Sequence, residues 1–156
     1  MVKVGDLASD FELSDAAGKM VRLGQFRGKN VVLYFYPKDE TPGCTKEAHS
    51  FRDNYQLFKK MGAEVIGISA DSCQSHQEFA KHHALQFILL SDSEKQVRKL
   101  YGVPSTIGLL PGRVTYIIDR NGVVRHIFSS QFRPKKHIEE ALSALKALTE
   151  PARPNT

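Results

Sequence analysis

Apolar and polar positions along this chain change period several times, and each change marks an element. Asp10 to Leu23 alternates weakly around Asp15-Ala16-Ala17-Gly18-Lys19, which predicts a small hairpin turning near Gly18. Arg27-Gly28-Lys29-Asn30 reads as a turn, and the apolar run Val31–Tyr36 as a core strand. Cys44 to Lys60 has no internal Gly or Pro, and Phe51, Tyr55, Leu57 and Phe58 recur at near-helical spacing. One helix is expected there, ending at Met61-Gly62 with Gly62 as its cap.

The second half alternates in the same way. Glu64–Ser69 is a strand, and Ser72 caps a helix from Cys73 to about His83. Phe87–Leu90 is a short strand, and Ser93 or Asp92 caps a helix ending at Tyr101-Gly102. Val103 to Gly112 reads as a loop. Val114–Ile118 and Val123–Phe128 flank the hairpin turn Asp119-Arg120-Asn121-Gly122. Pro134 opens a last helix, His137 to Leu148. The pattern predicts one α/β domain over 1–149, a mixed sheet flanked by helices, with a frayed tail over 150–156. The first two core strands, joined by a helix, should run parallel with a right-handed crossover. This is a thioredoxin-like arrangement.

Composition narrows the class. With 156 residues, 41% hydrophobic and 25% charged, one globular domain is the natural size. No apolar run approaches the ~20 residues that span a bilayer, and the N-terminus has no signal-peptide core. Cytoplasmic residence is the expectation. The net charge of +5 is spread along the chain, with a small cluster at Arg133, Lys135 and Lys136; no nucleic-acid signature accompanies it. Two cysteines do not make a disulfide scaffold.

The chemistry centres on Pro37-Lys38-Asp39-Glu40-Thr41-Pro42-Gly43-Cys44-Thr45. Cys44 falls where a strand hands over to a helix N-terminus, whose unpaired N–H groups and dipole favour a thiolate. Lowering a thiol pKa from about 8.5 to about 6 gains roughly 30-fold in thiolate at pH 7. That is only about 2 kcal/mol of barrier, so a fast reaction also needs donors aimed at the departing oxygen. The Thr41 hydroxyl and the N–H groups of Gly43 and Cys44 are available; Pro42 cannot donate. Arg113, at the start of the strand Val114–Ile118, reaches the same sheet edge if that strand is antiparallel to the first core strand. Taken singly, Arg113 is an ordinary strand-end charge, Thr41 a turn residue and Pro37 a strand terminator. Their conjunction with Cys44 carries the functional reading.

Pro37, Thr41 and Cys44 fit the P-x-x-x-T-x-x-C signature of the peroxiredoxins, and the run Tyr34 to Glu47 resembles the Q (bacterioferritin-comigratory) subfamily. The resemblance extends from Gly5-Asp6 through Gly67–Ser72 to Thr115–Asp119. It implies a monomeric or weakly dimeric thiol peroxidase reducing hydrogen peroxide and small organic hydroperoxides. Cys44 would be the nucleophile, with Thr41, Pro37 and Arg113 catalytic; Gly43, Pro42 and Phe35 (or Tyr36) would line the substrate pocket. Thioredoxin, glutaredoxin or glutathione would return the sulfenic acid to thiol. No metal, flavin or haem is implied, and no nucleic acid or membrane partner.

Many members of the subfamily carry a resolving cysteine five residues after the first; here that position is His49. The other thiol is Cys73, which should lie at the same sheet edge. A disulfide needs Cα atoms within about 7 Å, so bridging would require unwinding of the first turn of the Cys44 helix. Two cycles therefore stay open: resolution by Cys73, or a one-cysteine cycle completed by an external thiol. Cys44-Thr45-Lys46-Glu47 lacks the Cys-x-x-Cys of a thiol–disulfide oxidoreductase. A non-catalytic redox sensor or holdase using Cys44 as a switch is the competing reading. His76, His82 and His83 read as exposed helix residues, neighbouring histidines on a helix facing different ways, and Asp119–Gly122 reads as a turn, not a calcium loop.

Overall fold

The structure, a computed structural model, describes residues 1–106 and 110–149. The chain begins with the expected hairpin, β1 (Glu12–Asp15) and β2 (Met20–Arg22), and a 3-10 turn (Leu23–Phe26). Then come β3 (Asn30–Phe35), α1 (Pro42–Asp53), α2 (Tyr55–Lys60), β4 (Ala63–Ser69), α3 (Cys73–His83), β5 (Ile88–Ser91) and α4 (Gln96–Tyr101). A two-residue pair, β6 (Ser105–Thr106) and β7 (Leu110–Pro111), precedes β8 (Val114–Ile118), β9 (Val124–Ser129) and α5 (Pro134–Thr149). The expected tail, 150–156, lies outside the described residues, as does 107–109 of the expected loop.

Seven strands form one mixed sheet in the order β2-β1-β5-β4-β3-β8-β9. β3 and β4 are parallel, and β8 is antiparallel to β3 with Phe35 opposite Val114. The C-terminal ends of β3 and β4 and the start of β8 therefore share one edge, as the pattern required. Period-two alternation divides β3 between two cores. Val31, Leu33 and Phe35 pack with Tyr101, Val114 and Tyr116 on one face. Val32, Tyr34 and Tyr36 pack with Cys44, Ala48, Phe51 and Phe58 on the other, under α1, α3 and α5. Gly67, register partner of Tyr34, makes room for that ring: a Cβ there would stand 2.9 Å from it.

Two elements depart from expectation, the first being the pair β6–β7 within the segment read as a loop, Val103 to Gly112. The helix read as continuous from Cys44 to Lys60 is broken at Asn54. The Asn54 side chain donates to the Ser50 carbonyl at 2.8 Å, an acceptor its own backbone N–H also uses at 3.2 Å. A short amide competing for backbone acceptors ends the first helix there and starts the second. Neither Ser93 nor Asp92 is the N-cap of α4: the helix starts at Gln96 with Lys95, at φ +60°, before it, and the Asp92 carboxylate instead reaches in from outside the helix to accept from the N–H groups of Val97 and Arg98.

Candidate active site

β3 runs out at Phe35, and Pro37 follows half-buried after the last ladder bond, Tyr36 N–H to the Ile68 carbonyl. The loop then turns sharply at Glu40, a non-glycine residue with φ +64°, and enters α1 with Thr41 as N-cap and Pro42 in the first turn. The first intrahelical bond is Thr45 N–H to the Thr41 carbonyl, so the N–H groups of Gly43 and Cys44 lie ahead of any intrahelical acceptor. Cys44 itself is 2% exposed.

Arg113 comes to it from β8. Nη2 donates toward the Cys44 sulfur at 3.5 Å, Nη1 donates to Glu47 Oε1 at 2.6 Å, and Nε donates to the Gln131 carbonyl. Glu47 lies one turn after Cys44 on α1 and is fully buried. Its second oxygen has no hydrogen-bond partner among the described residues and faces His137 Nδ1 at 3.7 Å. His137, on α5, is also fully buried. Its Nε2–H donates to the Ser130 carbonyl at 2.8 Å, which leaves Nδ1 to accept the Thr115 hydroxyl at 2.8 Å. Gly43 completes the arrangement sterically: a Cβ there would stand 3.0 Å from Arg113 Nη2.

The electrostatics follow from this burial. Desolvation pushes Glu47 up to about 8 against the pull of Arg113, and drives His137 down to about 4, with Arg113 repelling its proton as well. Both side chains are thus held largely neutral beside the guanidinium at pH 7. Burial also raises the Cys44 thiol. Arg113, the Thr41 hydroxyl and the Lys38 backbone pull it down, and Glu47 pushes it further up. The net direction is upward: in this closed geometry desolvation outweighs the donors.

A second set of bonds fixes the loop. The buried Asp39 carboxylate accepts from the Tyr36 hydroxyl at 2.6 Å and the Ser75 hydroxyl at 2.8 Å, and meets His76 Nδ1 at 2.7 Å. Asp39 N–H donates to Asp71, and His76 Nε2 to the Leu90 carbonyl. Arg98 on α4 donates to the carbonyls of Tyr36 and Gly112, joining the end of β3 to the residue before Arg113.

The sequence reading placed Cys44, Thr41, Gly43 and Arg113 together, and they are together. Four expectations change in detail. The Thr41 hydroxyl donates to the Lys38 carbonyl at 2.8 Å and caps no helix N–H, so Thr41 begins the helix through its backbone alone. Phe35 does not line the pocket: strand alternation turns it to the opposite core, where it meets Tyr101 and Tyr116, while Tyr34 and Tyr36 share the Cys44 side. His82 and His83 do not diverge; their rings lie 4.1 Å apart at the end of α3. Cys73 is a free, half-buried thiol at the first position of α3, between Asp71 and Ser75, both of which bond to Asp39. Pro42 is exposed in the first turn of α1. Glu47, His137, Asp39 and Arg98 were not foreseen, and His76, read as an exposed helix residue, is fully buried because Asp39 and the Leu90 carbonyl take up both of its ring nitrogens. The spacing Cys44-x-x-Glu47, one helical turn, was the signal available for Glu47.

A strand-to-helix cysteine faced by a buried arginine, on a thioredoxin-like sheet, defines a cysteine-based peroxidase. The comparisons agree. The AhpC/TSA family model matches residues 4–127. The chain is 55% identical over 148 residues to chloroplastic peroxiredoxin Q of Sedum lineare, covering 94% of this chain and 80% of that protein. It is 57% identical over 147 residues to the Arabidopsis thaliana peroxiredoxin Q, covering 94% and 68%. Among solved structures, peroxidoxin BcpB from Mycobacterium tuberculosis superposes with a TM-score of 0.88 at 38% identity, covering 96% of this chain and all of that one. The Xanthomonas campestris bacterioferritin comigratory protein, studied for its alkyl peroxide reduction activity, superposes at 0.85 and 29% identity, covering 96% and 99%. The chain belongs to the AhpC/TSA family and, within it, to the peroxiredoxin Q group; it is a thiol-dependent peroxidase.

Proposed function

We propose that Cys44 reduces hydrogen peroxide and small organic hydroperoxides, with Arg113 as the group that orients the peroxide and stabilises the charge leaving sulfur. The observation that carries this is the Arg113 guanidinium donating toward the sulfur while Glu47 and Gln131 hold it from behind. Thr41, beside the sulfur, swings its hydroxyl from the Lys38 carbonyl to the incoming peroxide, and Pro37 shields the sulfur. Cys44 sulfur, as thiolate, attacks the terminal peroxide oxygen; the S–O bond forms as O–O breaks. The departing alkoxide takes the proton that the thiol gave up and leaves as alcohol, or as water from hydrogen peroxide. Cys44 is then a sulfenic acid. A thiol condenses with it, forming a disulfide and water, and a second thiol reduces that disulfide.

Within this chain Cys73 is the thiol available for the condensation; thioredoxin, glutaredoxin or glutathione can supply it from outside. The reading includes a monomer and cytoplasmic residence. The plant relatives are named chloroplastic, so cell fractionation tests the compartment.

Peroxide consumption with a thioredoxin system, in wild type, Cys44→Ser and Cys73→Ser, tests the reading. Wild type should turn over and Cys44→Ser should be inactive. Loss of thioredoxin-driven turnover in Cys73→Ser assigns resolution to Cys73; retention assigns a one-cysteine cycle. Stoichiometric oxidation of wild type without turnover on any thiol would replace the enzyme by the sensor.

A further inference from the structure

Beside the peroxidase site lies a cluster that the reaction does not use. The Glu40 carboxylate is flanked by two imidazoles: His82 Nδ1 lies 2.7 Å from Oε2 and 3.2 Å from Oε1, and His83 Nε2 lies 2.5 Å from Oε1. Behind His83, its Nδ1 meets His49 Nε2 at 2.9 Å. Four residues from three places converge here: the loop before Cys44, the fifth residue after Cys44 on α1, and the last turn of α3. One ligand atom each from Glu40, His82 and His83 lies within 4.8 Å of the others.

We propose that Glu40, His82 and His83 bind a zinc-class divalent ion, with His49 as the positioning residue behind His83. The donor set is two imidazole nitrogens and one carboxylate, which suits a borderline d-block ion and is poor for calcium or magnesium. A tetrahedral ion with bonds of about 2.0–2.1 Å needs ligand atoms about 3.3 Å apart. The present contacts are hydrogen-bond length, so the carboxylate must withdraw by less than about 1 Å as the ion replaces the shared protons. The Glu40 side chain is 47% exposed and His82 66%, so both are free to make that adjustment. The tautomers are consistent throughout: a His83 whose Nε2 binds metal must carry its proton on Nδ1, which points at His49 Nε2. Water would take the fourth position.

The second acid–imidazole group, Asp39, Asp71 and His76, does not serve the same way. Asp39 is buried and committed to Tyr36, Ser75 and His76, and Asp71 accepts from Ser69 and Asp39 N–H. At the exposed cluster, a bound ion would fasten the loop leading to Cys44 onto the end of α3, and through His49 onto α1.

Calorimetric titration of zinc chloride into the full-length protein, with Glu40→Gln, His83→Ala and His126→Ala in parallel, tests this. His126 forms a single imidazole–carboxylate pair with Glu140 at 2.8 Å and serves as the control. Any zinc held by thiols is common to all four proteins, so their difference reports the cluster. Wild type and His126→Ala should bind one further equivalent that Glu40→Gln and His83→Ala weaken by at least about tenfold. Imidazole nitrogen chemical shifts should move at His82 Nδ1 and His83 Nε2. Equal affinity in all four proteins, or zinc binding without those shifts, overturns the site. Glu40 is a surface side chain, so its variant reads the outcome even if His83→Ala folds poorly.

Discussion

Glu47 and Arg113 form a buried hydrogen-bonded pair, 2.6 Å between Oε1 and Nη1, with both side chains 4% exposed or less. Its consequence for Cys44 depends on the protonation of Glu47. While Glu47 is neutral, Arg113 directs its charge at the sulfur. Once Glu47 ionises, at about pH 8, it competes for the guanidinium and raises the thiol further. Glu47→Gln keeps an acceptor for Nη1 and removes the competing charge. The expected outcome is a thiol that ionises at lower pH, read from the pH dependence of iodoacetamide alkylation of Cys44. Arg113→Ala should move the same profile upward and slow peroxide reduction by about 10²–10³. An unchanged profile in Glu47→Gln would remove the carboxyl from control of the sulfur.

Gly43 is close enough to Arg113 that its lack of a side chain is functional. A Cβ would stand 3.0 Å from Nη2, and the guanidinium is pinned by Glu47 and Gln131, so it can yield only by leaving the sulfur. Gly43→Ala should therefore slow Cys44 oxidation by about tenfold, part of the 10²–10³ that loss of a donor costs. Stability should change by less than about 1 kcal/mol, because alanine favours the helix. Stopped-flow peroxide kinetics beside urea unfolding separate the two effects.

How much of this was legible in the sequence follows from what each residue's role depends on. The strands and the Cys44 loop were legible because β3 and β4 are apolar runs closed by Pro and by Asp-Ser, and because the motif residues sit within eight positions. Phe35 was misassigned because alternation tells which residues share a face but not which face α1 covers. Glu47 and His137 were silent because a polar residue on a helix reads as solvated until α1 and α5 are packed together. His82 and His83 read as divergent because helical spacing separates neighbours by about 100°. What gathers them is Glu40, turned by its positive φ toward the end of α3, and no pattern along the chain encodes that meeting.

The Asp39 cluster predicts a coupling between stability and the active-site loop. Asp39→Asn presents an amide N–H₂ to groups that themselves donate, leaving at least one buried polar atom unmatched. The expected cost is about 3 kcal/mol in urea unfolding. Amide exchange should accelerate first at Thr41 to Lys46, ahead of the sheet, because the loop loses its anchor on α3 before the core loses any contact. Uniform acceleration across the protein would mean that Asp39 serves the fold as a whole and not the loop.

His137 sets the acid side of the stability profile. It is buried neutral, with its pKa lowered to about 4, mainly by desolvation, from an ordinary value near 6.5. Between those two values the unfolded chain binds the proton that the folded chain refuses. The stability is complete above about pH 6.5 and is lost progressively as the pH falls toward 4. A shift of that size is worth at most about 3 kcal/mol. His137→Gln can offer an amide N–H to the Ser130 carbonyl and an oxygen to Thr115, and it does not titrate. The stability lost between pH 7 and pH 4.5 should therefore be smaller in His137→Gln than in wild type, by about 2 kcal/mol in urea unfolding at the two pH values. Equal losses would place the acid sensitivity in groups other than His137.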